Sequence, residues 1–326
     1  MDRLKLTKTN LVSLIVPVHN EMNSIDPFIE KVAAVITELQ QKYSFELVFI
    51  NDGSTDATEL AIMSYARKLP WISLVNFSRN FGKEAALSAG INQARGDAVI
   101  PMDVDLQDPP EIIEQMLMHW QEGAKVVNAR RASRDKDSWL KRTSAAAFYK
   151  VFNLLADRPI PFGVGDFRLL DREVVDAILT IGERSRFNKE LFSWVGFETV
   201  EISYERPARS AGETHWSYWK LWKLACDGIF ASTTIPLRMW TYIGLVMTLV
   251  SMMYSGFLFF RTLLLGVDTP GYASTVILIL TFGGMNMFAL GIIGEYVGRI
   301  YVEVRQRPLY IVRSVYRHSD DETMQG

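Results

Sequence analysis

Three oxygen-bearing side chains, Asp103, Asp105 and Gln107, stand two residues apart directly after the apolar run Ala98 to Met102. In extended chain a spacing of two points side chains the same way, so two carboxylates and one amide oxygen would share a face. Oxygen donors of this kind suit a hard divalent cation, Mg2+ or Mn2+, bridged to a substrate diphosphate, and argue against zinc. An Asp-x-Asp alone is common in turns; its neighbours give it weight. Other β-branched runs end in Pro17-Val-His-Asn20-Glu21, in Asn51-Asp52-Gly-Ser54 and in Ser78-Arg-Asn80. In an open α/β sheet ligands bind beyond the carboxyl ends of the strands, so these residues are the ones placed to meet a substrate.

The elements that must position them are legible as an alternation of short β-branched runs with amphipathic stretches, the pattern of parallel strands and crossover helices. Strands are expected at Val12 to Val18, Glu46 to Asn51, Ile72 to Phe77, Ala98 to Met102 and Lys125 to Ala129. A helix capped by Ser24 with Pro27 in its first turn, one opened by Thr55 or Asp56, and helices over Lys83 to Gln93 and Pro110 to Gln121 lie between them. The fold class is α/β, a Rossmann-like, mostly parallel sheet of doubly wound type.

Thirty-five Lys and Arg against 37 Asp and Glu leave no global field to attract a polyanion, so nucleic acid is not an expected partner. The single cysteine, Cys226, excludes an internal disulfide and a cysteine zinc site, which fits a reducing cytoplasm. Met1 to Asn10 lacks the apolar core of a secretory signal.

Two uncharged apolar runs, Met239 to Phe260 and Thr269 to Gly294, each meet the ~20-residue requirement for crossing hydrocarbon. Arg299, Arg305, Arg307, Arg313 and Arg317 follow the second run, which sets both termini in the cytoplasm of a bacterial inner membrane; Arg261, at the far end, would snorkel. Segments near 136–155 and 214–232 mix tryptophan with lysine and are expected as interfacial helices. The organisation expected is a catalytic domain over 1–235, a transmembrane hairpin over 236–302 and a cytoplasmic tail over 303–326.

Val16-Pro-Val-His-Asn-Glu21, Asn51-Asp-Gly-Ser-Thr-Asp56 and Asp103-Val-Asp-Leu-Gln-Asp108 resemble the nucleotide-sugar site of family-2 inverting glycosyltransferases with the GT-A fold. The resemblance continues through Phe77-Ser-Arg-Asn-Phe-Gly-Lys83, Gly165-Asp-Phe-Arg168 and Gly294-Glu-Tyr-Val-Gly-Arg299. It is nearest to bactoprenol glucosyltransferases, then to dolichol-phosphate mannose synthases and formamido-arabinose transferases. It implies that Pro17, Asn20, Glu21, Asp52 and Asp103 bind the nucleotide sugar, with UDP-glucose as donor and Asp52 on the uracil ring. It also implies a metal on Asp103, Asp105 and Gln107, and Asp103, Asp105 and Asp166 as catalytic residues, Asp166 in an acceptor loop.

The acceptor implied is a polyprenyl phosphate. Arg130, Arg131, Lys141, Arg142, Arg206, Arg209 and His215 are the cations expected to seat the acceptor and the diphosphate, with Arg134 beside them. His215 stands where relatives carry lysine, and Ala145 where many carry serine, so a pH dependence is expected from His215. Glycines such as Gly283 and Gly284 would allow a homo-oligomer to pack in the membrane. Three other readings remain: a mannose or formamido-arabinose transferase, a processive synthase, which the missing Gln-x-x-Arg-Trp motif disfavours, and a non-catalytic scaffold. A flippase partner is compatible with the first reading as well as the last.

Overall fold

The structure, a computed structural model, describes residues 9–132, 164–183, 188–205, 233–265 and 271–318. Strands β1 (Asn10–Val18), β2 (Tyr43–Asn51), β3 (Ile72–Phe77) and β4 (Ala98–Pro101) alternate with helices α1 (Met22–Leu39), α2 (Thr58–Ala66), α3 (Lys83–Gln93) and α4 (Ile112–Gln121). Strands β5 (Val126–Arg131) and β6 (Val164–Asp171), helices α5 (Arg172–Thr180) and α6 (Asn188–Trp194), and strand β7 (Thr199–Tyr204) follow. Two long helices, α7 (Ile235–Leu265) and α8 (Tyr272–Arg305), precede the last strand, β8 (Val312–Tyr316).

The eight strands form one sheet in the order β7-β5-β6-β4-β1-β2-β3-β8. Its centre, β4-β1-β2-β3, is parallel and covered on both faces, which is why these strands read as unbroken apolar runs. Leu14, Val16, Leu47 and Phe49 pack with Phe28 of α1 and Ile62 of α2. Their neighbours Ile15, Val48 and Ile50 point the other way and pack with Ala86 and Ala89 of α3. Gly90 completes that contact: a Cβ there would stand 3.0 Å from the Ile15 side chain.

Several expected boundaries shift for identifiable reasons. Glu21, not Ser24, caps α1, and the Ser24 hydroxyl donates back to Glu21 Oε2 at 2.8 Å; Pro27 therefore falls beyond the first turn. Helix α2 waits until Thr58, because the Asn20 side-chain oxygen holds the Thr55 N–H at 2.8 Å outside the helix and Asp56 accepts from the Thr58 N–H at 3.0 Å. Strand β4 stops at Pro101, one residue short of the expected Met102.

Three strands had no counterpart in the sequence reading. Strand β6 runs antiparallel between β4 and β5, and β7 pairs parallel to β5. Strand β8 lies antiparallel to β3, so the segment expected as a tail is an edge of the catalytic sheet. Tyr310 stacks on the buried Phe77 ring with centroids 5.0 Å apart and planes 8° from parallel, and the Ser78 N–H donates to the Ile311 carbonyl at 3.0 Å. Arg313 pairs with Glu59 at 2.6 Å, and Arg317 donates to Gln93 Oε1 at 2.8 Å. These two arginines, read from sequence as topological charge, tie the strand and its end to helices α2 and α3.

The chain divides into two compact units. One takes in the sheet and regains the chain from Arg307; the other includes Tyr218–Gln306. In the second, α7 and α8 cover the two uncharged runs, Trp240 meets Phe288 edge to face at 5.3 Å, and Tyr296 donates to the Thr233 carbonyl at 2.6 Å. Glu295 and Arg299 form the expected i, i+4 pair at 3.0 Å. Counting the described residues alone, no helix is long and apolar enough to cross a membrane. Side chains at 236, 238, 255, 258, 259 and 262 of α7 and at several positions of α8 lie outside that count, as do the expected interfacial helices near 136–155 and 214–232.

If the Tyr310 stack anchors β8, Tyr310→Ala should destabilise the sheet unit by about 2 kcal/mol, from the lost stack and its burial. A thermal melt of the full chain in detergent, wild type against variant, checks this; coincident melts would show that the ring contributes nothing.

Candidate active site at the carboxyl edge of the sheet

Strand direction decides which residues meet. Parallel β1, β2, β3 and β4 all end at one edge, and so does β5. An antiparallel strand begins where its neighbours end, so β6 delivers its first residues to that edge. Its pairs with β4, Ala98↔Asp171 and Val99↔Leu170, run toward the edge where β4 ends, so Asp166, near the start of β6, comes to the side that Asp103 occupies. Asp166 thus belongs to a strand and not to the loop expected from sequence.

Lys83, the first residue of α3, joins them. Its Nζ stands 2.7 Å from Asp103 Oδ1, 3.0 Å from Asp103 Oδ2 and 3.0 Å from Asp166 Oδ2. Burial alone would depress the ammonium, but the two carboxylates outweigh it and raise its pKa well above the ordinary lysine value. The lysine side chain keeps 46% of its surface open, against 33% for Asp103 and 14% for Asp166.

The backbone that carries Lys83 is fixed from β2. Both oxygens of the buried Asp52 carboxylate accept backbone N–H groups, Oδ1 from Phe81 at 2.6 Å and Oδ2 from Gly82 at 2.9 Å. The loops after β2 and β3 pass so close that a Cβ on Gly53 would stand 2.4 Å from the Arg79 carbonyl carbon, and its φ of +64° independently favours glycine. Asp52, expected on a uracil ring, is thus first a clamp on the lysine loop. Asn20 and Glu21 serve similarly. Asn20, at φ 56°, accepts from Thr55, and its own N–H donates to Ser54 Oγ at 3.0 Å; Glu21 anchors the start of α1. Pro17 is half-buried on β1, opposite Ile50.

Asp103, Asp105 and Gln107 do not share a strand, since β4 has already ended and residues 104–105 turn, with Leu106 at φ 58°. The expected alternation survives in another form. Met102, Val104, Leu106 and Asp108 are buried, while Asp103, Asp105 and Gln107 remain half-open on the accessible side. Asp105 Oδ1 accepts the Gln107 N–H at 3.1 Å, which holds the turn. Among the described residues no three His, Cys, Asp or Glu side chains converge as a complete metal cage. Two carboxylates and an amide on one accessible side nevertheless fit a hard divalent ion, because such ions commonly take one or two carboxylates and complete their shell with water and substrate phosphate.

Asp108 supports the turn from below. Its Oδ2 accepts the Asp103 N–H at 3.3 Å and its Oδ1 accepts the Tyr204 hydroxyl at 3.0 Å. Burial, reinforced by the Asp103 charge, raises its pKa to about 6; burial and the Asp108 charge push Tyr204 up to about 12. The Arg131 charge acts on Tyr204 in the opposite sense, whereas Arg130 pairs with Glu201 at 3.3 Å. Adjacent strand residues face opposite ways, so the two arginines expected to act together part, and of the two it is Arg131 whose charge reaches Tyr204. Lys141, Arg142, Arg206, Arg209, Arg134 and His215 lie outside the described residues.

Sequence reasoning assigned no role to Lys83, Asp108 or Tyr204. The first two stand inside motifs already singled out, and the alternation of Thr199 to Tyr204, with Ile202 and Tyr204 buried, carried a strand signal that went unread.

A mostly parallel α/β sheet with acidic side chains and a lysine gathered at its carboxyl edge is the architecture of a GT-A glycosyltransferase. The sequence profile of Glycosyl transferase family 2 covers residues 13–179, and this chain belongs to that family. It is 47% identical over 306 residues to the SfII prophage-derived bactoprenol glucosyl transferase of Shigella flexneri, spanning 94% of this chain and 98% of that one. It is 46% identical to an uncharacterized glycosyltransferase of Synechocystis sp., over 94% of this chain and 95% of the other, and 46% identical to a prophage bactoprenol glucosyl transferase homolog of Escherichia coli, over 93% and 99%. Among solved structures, mannosyl-3-phosphoglycerate synthase from Rubrobacter xylanophilus matches 67% of this chain and 71% of its own, with a TM-score of 0.47 and 18% identity.

A carboxyl raised above its unfolded value keeps its proton longer in the native state, so its contribution is fully present at low pH and declines as pH rises from the ordinary value of 3.8 through about 6. Asp108→Asn cannot ionise. In metal-free protein the stability of this variant relative to wild type should therefore rise between about pH 4 and about pH 6 and level off above. Melting curves across that range test it; a difference independent of pH would mean that Asp108 titrates normally.

Proposed function

We propose that the enzyme transfers glucose from UDP-glucose to undecaprenyl phosphate, with inversion at the anomeric carbon, at the cytoplasmic face of a bacterial inner membrane. One observation carries this reading most: the identity to proteins named bactoprenol glucosyl transferase extends over 93–94% of the chain, through the region of α7 and α8 as well as the sheet. A mannose or formamido-arabinose donor has no comparable support, and the intact acidic edge makes a purely scaffolding protein an unneeded alternative.

In this reading Asp103 and Asp105, with Gln107, hold Mg2+ or Mn2+, which when bound offsets the negative charge that develops on the departing diphosphate. Arg131 and the cations beyond the described residues seat the acceptor phosphate. Its second pKa is ~6, so it arrives largely as a dianion and requires no strong base. One of its oxygens bonds to the anomeric carbon while the bond from that carbon to the UDP oxygen breaks. The electron pair leaves on UDP, and no proton need move. Asp166, which shares Lys83 with Asp103, orients the reacting sugar or acceptor.

The membrane placement rests on the length of α7 and α8, 31 and 34 residues, and on the uncharged runs within them. At 1.5 Å per residue each is ~45–50 Å long, more than the ~30 Å of hydrocarbon to be crossed. Apolar side chains including Leu245, Leu249, Phe257, Met287 and Phe288 are exposed along them, a surface that lipid would cover. Both termini in the cytoplasm, a homo-oligomer in the membrane and a flippase that receives the glucolipid complete the proposal.

Purified full-length protein with UDP-glucose, Mg2+ and undecaprenyl phosphate should form undecaprenyl phosphoglucose, identified by mass spectrometry. Asp105→Ala should lower turnover by roughly 10²–10³-fold, the usual consequence of removing one group that stabilises developing charge. Wild-type turnover by Asp105→Ala, or a preference for another sugar nucleotide, would contradict the metal assignment or the donor respectively.

A further inference from the structure

The ammonium of Lys83 contacts both oxygens of Asp103 and one of Asp166. Asp103 is also a proposed metal ligand, so two cations have a claim on one carboxylate. A divalent ion and an ammonium on the same carboxylate would repel strongly at that range. The two carboxylates come from different elements, the turn after β4 and the start of β6, and the lysine neutralises their mutual repulsion in the protein without ligands. Its backbone is held by Asp52, but its half-open side chain is long enough to change partners without moving the loop.

We propose that Lys83 is a resident counter-cation: it occupies Asp103 and Asp166 until a nucleoside diphosphate arrives, and its ammonium then shifts onto the phosphates, releasing Asp103 to a divalent ion. Metal binding is thereby made conditional on nucleotide. The inference rests on the metal assignment above and adds an order of events to it. Free Mn2+ or Mg2+ meets a site already neutralised, whereas a nucleotide brings anionic oxygens that accept the ammonium and supply the remaining metal ligands. The same lysine would hold Asp166 in the empty enzyme and loosen its hold when the donor binds.

The test is Mn2+ titration of full-length, detergent-solubilised protein, followed by the EPR signal of free Mn2+, with and without UDP. Wild type should bind Mn2+ weakly alone and at least about tenfold more tightly with UDP, a gap of the size expected when one close charge changes partner. Lys83→Met should bind Mn2+ alone about tenfold more tightly than wild type, and should gain less from UDP. Lys83→Arg, which keeps the charge, should resemble wild type in the metal-only titration. If Lys83→Met does not fold, Lys83→Gln replaces it; a cooperative thermal melt near that of wild type, taken without ligand, reports that each variant is intact. Equal Mn2+ affinity for wild type with and without UDP would overturn the proposal without any variant, and so would a Lys83→Met protein with unchanged metal-only affinity. No Mn2+ binding by wild type even with UDP would remove the metal from the proposed function itself.

Discussion

Two carboxylates that approach the same point from opposite-running strands need a cation between them, and the position of Lys83 answers that need. Asp103 follows a parallel strand and Asp166 begins an antiparallel one, so the insertion of β6 beside β4 is what makes them neighbours. The lysine arrives from a third direction, at the start of α3, and its place depends on the Asp52 clamp and on a glycine that lets two loops touch. A buried Asp108 then fixes the Asp103 backbone and accepts the Tyr204 hydroxyl. Sheet order, loop geometry and charge balance are therefore one constraint seen at three scales.

This arrangement explains why the polar strand ends do two things at once. Asn20, Glu21 and Asp52, expected from sequence as nucleotide contacts, each already hold backbone or a helix start. Such engagement pre-orients the edge before a ligand arrives, which lowers the entropy that binding must overcome. The half-open side chains that remain, Asp103, Asp105, Gln107 and Lys83, are those that can still change partners.

The parallel half of the fold was readable because its strands are buried on both faces and its helices are small-residue or amphipathic. The limits of β3 and α3 agree with the sequence reading residue for residue. The start of α2 was not readable, since the groups that delay it come from Asn20, a residue distant in sequence. Strand β8 escaped notice because an edge strand buries little and its arginines resemble membrane-flanking charge. Strand β6 escaped for a different reason: its first residues, Val164 to Arg168, matched a motif expected to be a loop, and the register with β4 that gives Asp166 its meaning is a long-range property. Of the acidic residues at this edge, Asp103 and Asp105 stood out by type and spacing and Asp166 by resemblance alone, while Asp108 was assigned no role. The lysine between Asp103 and Asp166 was not legible, because nothing local indicates which carboxylates a helix-start lysine will meet.

The most direct measurement is phosphorus ENDOR on Mn2+ bound to the full-length enzyme with UDP-glucose. A metal held by Asp103 and Asp105 against the donor diphosphate must show strong phosphorus hyperfine coupling, lost when Asp103 is replaced by alanine. Bound Mn2+ without phosphorus coupling, or a coupling indifferent to Asp103, would mean that the acidic edge of this sheet is not where the sugar nucleotide is activated.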